Sequence, residues 1–139
     1  MTRLVAGKVN RLSFFYTICK FADGGEVTPF ERTTLGRIVS EFSLEPTGRD
    51  GVYAFRDGEE ASEVDLSDAG VIQLPRPLGT ENMERFLFDV LALTGGTLFS
   101  PQFDGAITTD REQATHVPDD LPPRLVENWQ ELAAALRGQ

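Results

Sequence analysis

One stretch, Ser13-Phe14-Phe15-Tyr16-Thr17-Ile18-Cys19-Lys20-Phe21, constrains this chain more than any other part of it. It is rich in aromatic and β-branched residues and closes at Ala22-Asp23-Gly24-Gly25, which reads as a strand with a turn behind it. Side chains alternate across a strand, so Phe15, Thr17, Cys19 and Phe21 share one face and Phe14, Tyr16, Ile18 and Lys20 the other. Both faces are largely apolar. The expectation is therefore a central strand covered on both sides.

Other short strands follow from turn chemistry. Arg49-Asp50-Gly51 and Arg56-Asp57-Gly58 bracket Val52-Tyr53-Ala54-Phe55, and Asp-Gly favours tight hairpin turns because glycine tolerates positive φ. Val71-Ile72-Gln73-Leu74 ends at Pro75-Arg76-Pro77, where the prolines withdraw ladder donors. Thr97-Leu98-Phe99 and Ala106-Ile107-Thr108-Thr109 read as two more strands.

The best-defined helix runs from about Glu81 to Thr94, with Thr80 as N-cap, Glu81 and Glu84 at the positive end of the dipole, and Gly95-Gly96 as its stop. Met83, Phe86, Leu87, Val90 and Leu91 form its apolar stripe. A polar loop through His116 and Pro118 leads to a last helix carrying Leu125, Trp129, Leu132, Ala133 and Leu136. Residues 28–44 read two ways. Thr28-Pro29-Phe30-Glu31 resembles a capping box and Leu35, Ile38, Val39 and Phe42 have helical spacing, yet Ile38, Ser40, Phe42 and Leu44 alternate as in a strand. Gly36 and paired threonines weaken a helix, so the expectation is a helical turn or loop near 29–34 and a strand from about 36 to 44.

Strands outnumber helices without alternating strictly with them. That pattern predicts an α+β fold with a mostly antiparallel sheet and two principal helices. The run strand, helix, strand, strand over 70–109 is half of a ferredoxin-like arrangement. With 139 residues, 40% of them hydrophobic, and no dividing linker, residues 1–139 are expected to form a single globular domain.

Charge narrows the function classes. The net charge is −9, distributed as +3 over residues 1–40 and −12 over the rest. Such a surface repels phosphate backbones and anionic lipid, so nucleic acid and membrane are not expected partners. It would steer a basic partner into contact. The first ten residues lack the apolar core of a secretory signal, and the apolar stretch 86–93 is too short to span a bilayer, so a cytoplasmic location is expected.

The inventory for catalysis is thin. Cys19, the one cysteine, excludes an internal disulfide and lies in an apolar alternating segment, where a buried inert thiol is expected. His116 is the one histidine, so a zinc site of ordinary composition cannot form within one chain. Thr94-Gly95-Gly96-Thr97 follows a helix instead of opening one, the reverse of a phosphate cradle. No metal, cofactor or catalytic residue is expected.

The acidic run says more. Asp57-Gly58-Glu59-Glu60-Ala61-Ser62-Glu63-Val64-Asp65-Leu66-Ser67-Asp68 holds six acids and no base. Asp119-Asp120, Asp104 and Asp110 add to the surplus. A hairpin or loop of this composition is either a solvated edge whose charge deters sheet-to-sheet aggregation or a docking surface for a basic groove.

Small size, acidity, a poor catalytic inventory and a turn-rich α+β pattern resemble the cytoplasmic immunity proteins of bacterial toxin systems, the partners of polymorphic and type VI secretion effectors. The segment from Leu74-Pro75-Arg76-Pro77-Leu78 to Thr94-Gly95-Gly96-Thr97-Leu98-Phe99-Ser100-Pro101 is the most similar part. The resemblance implies a stoichiometric inhibitor that occludes the basic active-site cleft of one cognate toxin. Its expected contacts are Asp57, Glu59, Glu60, Glu63, Asp65 and Asp68, with Tyr53 or Phe55 as an aromatic anchor. The alternative is a small-molecule-binding or regulatory α+β module without catalysis, marked by a ligand-dependent rise in melting temperature.

Overall fold

A computed structural model describes residues 15–101 and 104–138. Among these, nine strands form one mostly antiparallel sheet accompanied by four α-helices, an α+β fold. The strands are β1 (Tyr16–Phe21), β2 (Val27–Thr28), β3 (Glu45–Pro46), β4 (Val52–Asp57), β5 (Glu60–Asp68), β6 (Val71–Leu74), β7 (Thr97–Phe99), β8 (Ala106–Thr108) and β9 (Pro123–Leu125). The helices are α1 (Arg32–Glu41), α2 (Glu81–Thr94), α3 (Arg111–His116) and α4 (Trp129–Leu136). The sheet order is β3-β4-β5-β6-β1-β7-β8-β9, with β2 pairing the end of β1. Among the described strand pairings, only that of β8 with β9 is parallel.

β1 occupies the centre, as its two apolar faces require; Ser13 and Phe14 lie outside the described residues. It pairs with β6 through Tyr16↔Leu74 and with β7 through Thr17↔Phe99, antiparallel in both cases. β6 and β7 are therefore parallel to each other and are joined by α2 across the intervening β1. This is a split β–α–β unit, and the meander β3-β4-β5 runs into it through β6.

The β1 face bearing Tyr16 and Ile18 packs under the helices. Ile38 of α1, Met83, Phe86, Leu87, Val90 and Leu91 of α2, and Leu132 and Ala135 of α4 join Val64, Ile72, Leu74, Leu98 and Ile107 in one core. The α2 stripe is as expected, with Thr80 Oγ1 accepting the Met83 N–H at 3.2 Å and Gly95 closing the helix at φ 68°. Each of its large side chains stabilises the fold by roughly 1.5–3 kcal/mol relative to exposure. On the other face, Cys19 and Phe21 form a smaller core with Ala106, Val117, Phe99 and Leu121.

Three local expectations change. Residues 32–41 are helix, not strand: Phe42 meets Phe86 edge-on at 5.0 Å and Ile38 is fully buried, so packing of the 3.6-residue stripe outweighs the glycine and the threonines. The helix ends with Ser43 at φ 52° and the Leu44 N–H donating to Val39 O at 3.0 Å, a Schellman-type closure. Of the two forms expected for the acidic run, hairpin or loop, it takes the hairpin: most of it is β5, the longest strand, because Ser62, Val64 and Leu66 alternate inward. His116 ends the short helix α3, whose N-cap is Asp110, and Leu125 belongs to β9 instead of the last helix.

Candidate functional site

The β4–β5 hairpin holds most of the residues expected at a partner surface. Six register pairs run from Val52↔Asp65 to Asp57↔Glu60, closing on the two-residue turn Gly58-Glu59 with Gly58 at φ 65°. At the other end, Gly51 (φ 78°) lies so close to β5 that a Cβ there would sit 2.7 Å from Ser67 Cα. Only glycine fits this approach, which fixes where β4 begins.

Strand alternation divides the acidic run between faces. Tyr53, paired with Val64, and Phe55, paired with Ser62, point toward the helices. The Phe55 ring packs on Phe86 at 4.7 Å between centroids, so it belongs to the core and is not the aromatic anchor expected beside the carboxylates. Tyr53 is half-buried on that same side. Glu63 and Asp65 lie on the opposite face with Val52, Ala54 and Gln73.

Most of these carboxylates have local partners. Asp57 Oδ1 accepts from Asn82 Nδ2 at 3.0 Å, tying the hairpin to the start of α2. Glu63 pairs with Arg49 at 3.2 Å. Asp65 Oδ1 accepts from the Ser67 N–H (2.9 Å) and hydroxyl (2.6 Å), and Asp68 Oδ1 accepts from the Gly70 N–H at 2.8 Å. These last two contacts shape the bend after the register shift between Asp65 and Asp68. Asp68 lies eight residues from Glu60, about 26 Å along a strand, so it does not belong to one compact cluster with the tip.

Glu59 and Glu60 differ. Both are exposed at the hairpin tip and form no ion pair or hydrogen bond among the described residues. Sequence reasoning missed Glu45, which β3 places beside Ala54 on the outer face, where Arg56 Nε reaches both its carboxylate oxygens at 3.3 Å. No local signal marks it, because the neighbour is supplied by strand pairing.

The remaining reactive groups are structural. Burial pushes the Cys19 thiol from 9.0 up to about 11, far from thiolate formation at neutral pH. Burial and the nearby Glu84 carboxylate raise the Tyr16 phenol to about 12, against the opposing pull of Arg137. His116 Nδ1 lies 3.6 Å from the exposed Asp23 carboxylate. Among the described residues no group of three or more His, Cys, Asp or Glu side chains is placed to hold a metal ion. No helix among them is long and apolar enough to cross a membrane. A cleft of about 460 Å³ between β8–β9 and the end of α4 is lined in part by Asp104 and Arg137; Arg137 is also engaged by Glu84 at 3.1 Å.

No protein-family model, curated protein or solved structure matches the chain.

Proposed function

We propose that this protein is an immunity protein, which neutralises a cognate toxin by inserting the β4–β5 hairpin tip into the toxin's basic active-site cleft. The observation that carries the reading is the pair Glu59 and Glu60, two exposed carboxylates without cationic partners at the end of a six-pair ladder. The ladder and the Asp57–Asn82 bond hold the tip in place before binding, which reduces the ordering cost of association. Two preorganised carboxylates can take the positions that anionic substrate groups occupy against Lys or Arg. Glu63, with Asp65 behind it, extends the negative field on the outer face, while Arg49 offsets part of it. Inhibition by occlusion requires no reaction by the chain itself.

The test is co-purification of a basic toxin partner with the chain, followed by its affinity measured by titration calorimetry at two salt concentrations. The double reversal Glu59→Lys with Glu60→Lys is expected to weaken binding at least about 100-fold at low salt, since close interfacial charge pairs couple strongly. It should also abolish rescue of cells expressing the toxin. Unchanged affinity and rescue would remove the hairpin tip from the interface.

A further inference from the structure

We propose that the cleft between α1 and the start of β4 binds a small zwitterion with an apolar tail, of the class of aliphatic and aromatic α-amino acids. The inference stands apart from the toxin-binding reading, because none of its residues lies at the hairpin tip.

Two adjoining clefts, of about 380 Å³ and 130 Å³, share Leu35, Gly51 and Leu66. The smaller continues along α1 past Gly36 and Val39 to the Tyr53 ring and is lined chiefly by apolar groups. The larger has a charge on each wall: Arg32 on α1 and Asp50 on the loop before β4. Neither forms a salt bridge or a side-chain hydrogen bond among the described residues, with each other or with any other group. Opposite charges lining one cleft without pairing leave an acceptor for an ammonium and a donor fork for a carboxylate. A ligand carrying both, with its side chain running into the smaller cleft, satisfies all three features at once.

α1 itself carries the second line of support. Arg32 is its first residue, at the positive end of the helix dipole, and the N-cap residue Glu31 makes no side-chain capping bond. Gly36 sits at its middle, where alanine would be the better helix former, and a Cβ there would meet nothing within 4 Å. Sterics therefore do not require glycine at this position. Arg32 and Gly36 lie at i and i+4, with Val39 at i+7, so these two departures share one flank of the helix with an apolar residue. Departures from local preference with no packing reason, grouped on one cleft, mark a place kept open for a ligand.

The experiment uses the full chain with L-leucine and L-phenylalanine at about 10 mM, read by thermal melting and by amide shifts in two-dimensional NMR. A dissociation constant of about 0.1–1 mM is expected for a ligand of this size in an open cleft. The melting temperature should rise by roughly 5–9 °C. The half-ligands 4-methylpentanoate, which lacks the ammonium, and L-leucinamide, which lacks the carboxylate, should give less than about a third of that rise. Gly36→Leu places a side chain at the notch where an added Cβ meets nothing within 4 Å; it should remain folded by circular dichroism, with an unchanged or higher melting temperature, and lose the ligand response. Arg32→Gln and Asp50→Asn should each weaken binding about 10-fold. No shift with either amino acid, equal shifts with a half-ligand, or a full response in Gly36→Leu would each overturn the proposal.

Discussion

The outer face of the sheet has a covered half and an open half, and they treat polar groups in opposite ways. Under α3 and the segment after it, Gln113 is 2% exposed and its amide stands in for a strand. The Phe21 N–H donates to Gln113 Oε1 at 2.8 Å, Gln113 Nε2 donates to Phe21 O at 2.9 Å, and the Thr97 hydroxyl donates to Oε1 at 2.7 Å. Across β3 to β6 the same face shows solvent-facing pairs instead, Arg49 with Glu63 and Arg56 with Glu45. A buried amide with all partners met is costly to lose, whereas exposed ion pairs contribute little. Stability is thus concentrated in one half, and the charge of the other half is available for recognition.

The sharpest way to break this contrast is Gln113→Leu, which strands the Phe21 amide group and the Thr97 hydroxyl in a dry site. A loss of about 3 kcal/mol in urea unfolding is expected; a loss under 1 kcal/mol would show that water or rearrangement replaces the amide. Thr108→Val removes the hydroxyl that donates to Gly96 O at 2.9 Å and should cost about 1–2 kcal/mol. The covered half should also respond to alkali. Because the Cys19 pKa is raised in the folded state, its contribution to stability is complete below the ordinary 9.0 and is lost as pH climbs toward about 11. Melting temperatures should hold up to about pH 8.5 and then fall, and Cys19→Ala should flatten that fall while lowering the plateau. In the open half, Glu60→Lys with Glu63→Lys should shift unfolding by no more than about 0.5 kcal/mol while weakening binding of the proposed toxin partner. A large destabilisation there would merge the two halves into one.

Much of the fold was readable before the structure because its signals are local. The two-faced β1, the Thr80 cap, the α2 stripe and the hairpin turn at Gly58 each depend on residues within a few positions of one another. The misread parts depend on distant partners. Helix α1 is held by Ile38 entering the core and by Phe42 reaching Phe86, 44 positions away, so its own sequence looks undecided. Gln113 had no sequence signal at all, since its role exists only where β1 and β7 end side by side. The acidic run was recognised as a surface feature, but its division into a tip, an outer face and a distant bend follows from β pairing. Phe55 shows the same limit: an aromatic among acids turned out to face the core because the strand's parity places it there.

The central place of β1 has a consequence for how the molecule is made. Tyr16 pairs with Leu74, 58 positions later, and Thr17 with Phe99, 82 positions later, so the middle of the sheet waits for those later segments to emerge from the ribosome. Until then an apolar ribbon with two sticky sides has nothing to sit between. Closure over such sequence distances is slow relative to hairpin formation. The β4–β5 hairpin can therefore zip first, with β1 inserted late as the keystone between β6 and β7.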